Sequence, residues 1–147
     1  MIFRHEFTTP RNLYEKLVRD YEHLDMVVSG DTFFNFVSTA CYLHEWLKNA
    51  PQSEVLTRFV SRVSRDSNFK LCKDILAFKV TFTVIIEAPE IPDDSDFEHI
   101  RTPESFDLTA YQNDTKKFLI IVGSEPIDVF KFKEEVMNLF NIYFKVK

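Results

Sequence analysis

The sequence predicts an α+β protein with an N-terminal bundle of about four helices, a β-hairpin and a closing C-terminal helix. Three observations carry that expectation. Apolar residues recur at helical spacing through most of residues 9 to 78 and again from about Asp128 to the C-terminus. Between residues 105 and 123, an alternating run and a short continuous apolar run flank a polar turn. Sixteen phenylalanines against two glycines supply a large aromatic core and leave few sites for strained turns.

The first helix is expected to start at Thr9, whose hydroxyl can accept from the free N–H groups, with Pro10 suited to the first turn. Leu13, Leu17, Tyr21, Leu24 and Val28 then form one stripe ending near Ser29-Gly30. Asp31 is the expected cap of the second helix. There Phe33, Val37, Ala40, His44 and Leu47 make one face, widened by Phe36, Leu43 and Trp46. So wide a face implies a central helix, with Phe34, Phe36, Cys41, Leu43 and Trp46 buried against the first and third helices and Asn35 and Glu45 exposed. Asn49-Ala50-Pro51 interrupts the pattern before Leu56, Phe59, Val60 and Val63 mark a third helix to about Arg65. Ser67 is the expected cap of a fourth, carrying Leu71, Cys72, Ile75 and Phe78. Residues 80 to 86 read equally as a helical extension or as a strand, since Val80, Phe82, Val84 and Ile86 alternate.

Residues 87 to 104, EAPEIPDDSDFEHIRTPE, hold three prolines and seven acidic residues against one arginine, and read as a solvated loop. Phe106, Leu108 and Ala110 alternate, Gln112 to Thr115 supply a turn, and FLIIV at 118 to 122 is a short apolar strand. From residue 126 onward Val129, Phe132, Val136, Leu139 and Tyr143 return to helical spacing. The chain therefore divides into a mainly helical part (1–86), an acidic loop (87–104), a hairpin (105–123) and a closing helix (126–147), all within one domain of 147 residues.

Composition narrows the function. With only Gly30 and Gly123, neither a P-loop nor a dinucleotide fingerprint can be written. A formal net charge of -5 argues against coating nucleic acid through the overall field, although a local basic stripe still acts within a Debye length. Cys41 and Cys72 are too few for a disulfide framework and sit in apolar helical patterns, which points to reduced thiols in a cytoplasmic protein. No apolar signal segment or membrane-length run occurs, so no membrane partner is expected.

Candidate chemistry is sparse. Cys41, His44 and Glu45 share a helical face, but a metal site needs three or four ligands and His5, His23 and His99 are dispersed; a core-edge histidine with a hydrogen-bonded ring is the better account. Neither cysteine has a sequence partner that would activate it. The adjacent pairs Asp93-Asp94 and Glu134-Glu135 read as surface charge. No metal, no cofactor and no catalytic residue is expected. The directional feature is Arg58, Arg62 and Arg65 at i, i+4 and i+7, opposite Phe59 and Val63, followed by Lys70 and Lys73. Guanidinium groups in a row recognise carboxylates or phosphates by forked hydrogen bonds, so these five residues form the candidate binding site for another protein or for RNA. The plainer account is a solvated face paired with the acidic loop.

Phe34-Asn35-Phe36, Thr39-Ala40, Trp46-Leu47, Arg65-Asp66 and Leu71-Cys72-Lys73-Asp74-Ile75 together resemble a set of uncharacterised bacterial proteins with an FNF helix, a tryptophan-leucine pair and a CKDI run. That resemblance implies helices, a hairpin and a last helix, in a mobile-element or host-defence setting. Polar family positions after the CKDI run are Ala77, Val80 and Thr81 here. The helical body is also similar to the HEPN group, some of whose members are ribonucleases using an arginine and a histidine with four to six residues between them. Arg19 and His23 enclose only three residues, so the ribonuclease pattern is not met. The resulting expectation is a non-enzymatic interaction protein, with a HEPN-like RNA-binding or degenerate ribonuclease domain as the alternative.

Overall fold

The computed structural model describes residues 6–87, 117–122 and 125–145. It is an α+β arrangement of helices α1 (Pro10–Met26), α2 (Gly30–Asn49), α3 (Glu54–Arg65), α4 (Ser67–Leu76) and α5 (Val129–Phe144), with strands β1 (Phe82–Glu87), β2 (Lys117–Val122) and β3 (Glu125–Asp128). No described helix is long and apolar enough to cross a membrane.

Each helix begins where a short polar side chain meets its orphan N–H groups. Thr9 caps α1, and Asn12 completes a capping box by reaching back to the Thr9 N–H. Ser29, not Asp31, caps α2: Ser29 Oγ accepts from the Thr32 N–H at 3.1 Å, while Thr32 Oγ1 accepts from the Ser29 N–H at 3.0 Å. Asp31 falls in the first turn, where its charge suits the positive end of the helix dipole. Likewise Asp66, not Ser67, caps α4 through Oδ2, which accepts from the Phe69 N–H at 3.0 Å. Asp128 caps α5, its Oδ1 accepting from the Phe130 and Lys131 N–H groups.

The end of α4 settles the ambiguity over residues 80 to 86. Lys79 N–H donates to the Asp74 carbonyl at 2.8 Å and Phe78 N–H to the Ile75 carbonyl at 3.2 Å, the paired bonds of a Schellman termination. Phe78 takes the left-handed conformation this requires, with φ 60°, where glycine is the usual residue. The chain bends through Lys79 and Val80 and enters β1 at Phe82.

The sheet has the order β1-β2-β3 with both pairs antiparallel. Phe82 stands opposite Val122 and Glu87 opposite Lys117, while Val122 also faces Glu125 and Leu119 faces Asp128. The predicted strand 118–122 is thus central, with β1 and β3 as its neighbours. The expected partner arm, 106–110, lies outside the described residues, as does the acidic stretch from 88 to 104. β3 carries Pro126 on an edge, where a missing N–H is tolerated.

All five helices and Ile120 of β2 contribute to one apolar cluster. Phe33, Phe36, Phe69, Phe132 and Phe140 are among its largest fully buried side chains. Each aromatic so placed contributes about 1.5–3 kcal/mol of transfer free energy. Phe33 bridges helices and sheet, with ring centroids 5.0 Å from Phe82 and 5.6 Å from Phe132. α2 is central as expected, but packs mainly on α1 and α4 and less on α3. Phe36, Cys41 and Leu43 are buried and Asn35 and Glu45 exposed, as the pattern implies. Phe34 departs from it: 40% exposed, it lies about a quarter-turn from the Phe33 stripe and stacks on Phe82. Trp46, adjacent to buried Leu47, is only partly buried for the same angular reason.

Polar contacts fix how the helices meet. Asp20 Oδ2 accepts from Lys16 Nζ at 2.7 Å and from Thr39 Oγ1 at 2.5 Å, joining α1 to α2. Tyr14 donates to Asn141 Oδ1 at 2.5 Å and stacks on Phe144 at 4.3 Å, joining α1 to α5. Lys133 is a buried cation between the same two helices. Its ammonium lies 3.1 Å from Asp25 Oδ1 and 3.6 Å from the Tyr21 ring centroid.

Candidate functional site

Two features of the surface carry chemistry, and of the five predicted binding residues the structure puts three on one, Lys73 on the other and Lys70 on neither. Arg58, Arg62 and Arg65 are all exposed on the outer face of α3, because Leu56, Phe59 and Val63 commit the opposite face to the core. The row spans about 10 Å along the helix axis. Arg58 is paired with Glu54 one turn earlier. Arg62 and Arg65 are exposed and form no hydrogen bond or ion pair with another described residue, so two guanidinium groups meet no acceptor among the described residues. Lys70 is exposed on α4. Lys73 belongs elsewhere: it lines a cavity between α2 and α4 that no described residue of α3 lines.

That cavity has a volume of about 410 Å³. Phe69 and Leu76 of α4, Ala77 at its C-cap, and Cys41 and Tyr42 of α2 give it an apolar wall, with Lys73, Glu45 and His44 as its polar groups. His44 is 3% exposed and held from behind: Nε2 lies 2.9 Å from Ser64 Oγ and 3.2 Å from the Val60 carbonyl. Ser64 also donates to that carbonyl at 3.0 Å, so a proton on Nε2 satisfies the whole set. Burial lowers the pKa of His44 below its ordinary value, and the Lys48 and Lys73 charges add to the effect against the opposing pull of the Val60 carbonyl and Glu45. The imidazole is therefore neutral at pH 7.

The same reasoning disposes of the cysteines. Burial pushes the Cys41 thiol up to about 12 despite the nearby Lys73 charge, and Cys72 is raised well above its ordinary value. Both are free thiols and both are buried. A thiol in that state is a small hydrophobe rather than a nucleophile. Cys41, His44 and Glu45 do share one cavity, but no group of three or more His, Cys, Asp or Glu among the described residues is arranged to hold a metal ion.

A second cavity of about 650 Å³ opens between the start of α2 and β1, where Asp31, Phe34 and Asn35 face Phe82, Thr83 and Val84. Partly exposed Phe34 is accounted for here as one wall. Sequence reasoning did not find Tyr42, Leu76 or Ala77 as a cavity lining, because that requires knowing how α2 and α4 pack. The one available signal was Tyr42, an aromatic residue on the solvent flank of an otherwise apolar helix, 55% exposed in the structure.

Comparison with protein-family models, with curated proteins and with solved structures returns no match for this chain. The functional reading therefore rests on its own residues.

Proposed function

We propose that this chain is a small non-enzymatic interaction protein that holds an acidic surface of another protein through Arg58, Arg62 and Arg65. The observation that carries the reading is the pair Arg62 and Arg65: two exposed cations on a helix anchored through its other face, with no acceptor among the described residues. A rigid helix presents such groups with their backbone entropy already lost, which favours forked pairing with carboxylates. The protonated thiols and the engaged, neutral histidine support a binding role over a catalytic one. Two free buried cysteines favour the reducing cytoplasm as its location.

A HEPN-like grip on RNA is the second reading, since the same row suits phosphates. The described exposed positions of α3 (Glu54, Val55, Thr57, Ser61 and the three arginines) carry no aromatic side chain on which a base could stack. With the overall charge of -5, that favours a protein partner. Co-purification from native lysate at low salt, with the parent and with a variant carrying Arg58→Ala, Arg62→Ala and Arg65→Ala, tests both. The expected result is a defined protein recovered with the parent and lost with the variant. Nucleic acid lost in the same way would select the second reading, and identical recoveries would reject both.

A further inference from the structure

We infer that the α2/α4 cavity is a binding site for a small aromatic carboxylic acid, a role independent of the arginine row. Its volume of about 410 Å³ falls in the range of small-ligand sites. Phe69 and Leu76 supply an apolar floor, and the half-exposed Tyr42 ring stands at the side as a surface for stacking. These groups select a flat apolar body.

The charge at the site selects the sign of the ligand. Glu45 Oε1 lies 3.7 Å from Lys48 Nζ, so its carboxylate is matched on its own helix. Lys73 has no ion pair with any described residue, and His44 is neutral. Glu45 and Lys73 are the ionised groups of the lining, and with Glu45 matched by Lys48 the group left without an ion pair to a described residue is Lys73, a lysine on a flexible stem. A carboxylate on a short chain from an aromatic ring would place its charge by Lys73 while the ring enters the apolar part. A ligand cation would meet Lys73, beside a Glu45 carboxylate already paired with Lys48.

The test is a titration of the isotope-labelled full chain with hydrocinnamate, and separately with its uncharged amide, followed by amide chemical shifts. Hydrocinnamate should move signals of Tyr42, Glu45, Lys73 and Ala77 and bind roughly fivefold more tightly than the amide, as one partly exposed ion pair allows. Lys73→Gln should bring the acid down to the affinity of the amide and leave the amide unchanged. Tyr42→Ala should weaken both. Because both side chains are exposed, the variants should keep the parent's spectrum elsewhere. Equal affinities for acid and amide would overturn the assignment, as would shifts centred on Arg58 to Arg65 or no shift at about 10 mM ligand. A phenylalanine-terminated peptide that binds more tightly than hydrocinnamate would replace the small acid by a protein C-terminus and also overturn it.

Discussion

Acidification should weaken the fold through His44. The ring is 3% exposed, packs 4.7 Å from Phe69, and directs Nε2 at Ser64 and the Val60 carbonyl. A second proton would place a charge in that site, with Lys48 and Lys73 nearby. The folded-state pKa consequently lies below the unfolded value of about 6.5. As pH falls through 6.5 the unfolded chain takes up the proton first, so stability is fully present above that value and declines below it until the folded ring also titrates. One group can change stability by no more than about 1.4 kcal/mol per pH unit, so falling from pH 7.5 to 5.5 removes at most about 1.4 kcal/mol. Urea unfolding followed by fluorescence of Trp46, the single tryptophan, measures this at half-unit intervals. Carboxylates elsewhere contribute their own slope, so the reference is His44→Gln, whose amide can still donate to the Val60 carbonyl. The parent should lose more stability than the variant between pH 6.5 and 5.5. Parallel curves, or a parent that gains on the variant as pH falls, would refute the neutral, engaged histidine.

Phe78→Gly should stabilise the protein by about 0.5–1.5 kcal/mol in the same assay, because glycine relieves the left-handed backbone while an 82% exposed ring forfeits little burial. Lys133→Met should change stability by less than about 1 kcal/mol, since Asp25 is 59% exposed and stays hydrated, whereas Lys133→Ala should cost about 2–3 kcal/mol through lost packing between α1 and α5. Cys41 should resist iodoacetamide in the native protein at pH 8 and react rapidly in urea; prompt native labelling would contradict a buried, protonated thiol.

The helices were legible because their apolar spacing is strong, and their starts were legible only to within two residues. Ser29 and Asp31 are both good caps, and so are Asp66 and Ser67. What decides between the first pair is Thr32, whose hydroxyl donates to the Val27 carbonyl at 2.8 Å while closing the box with Ser29. That choice depends on the path of the chain before the helix. Phe34 and Trp46 were placed too deep because a wide apolar face has flanks, and only packing shows which flank is covered. β3 gave no signal: the sequence reading puts residues 126 to 128 in the closing helix, whereas they form an edge strand whose pairing comes from the edge that β2 offers, and the helix starts at Val129. Lys133 illustrates the opposite failure, since it occupies a core phase of α5 beside Val129, Val136, Met137 and Phe140 yet carries a charge that reads as surface. The arginine row was visible from spacing alone, but the separate position of Lys73 depends on the α2–α4 contact.

The most direct measurement of the proposed role is binding of a purified acidic partner, taken from the co-purification, to the parent and to the triple arginine-to-alanine variant as salt is raised. The arginine row predicts affinity that falls with salt in the parent, at least tenfold weaker binding in the variant, and a flatter salt dependence once the three charges are gone. Equal affinity and equal salt dependence in the two proteins would contradict it.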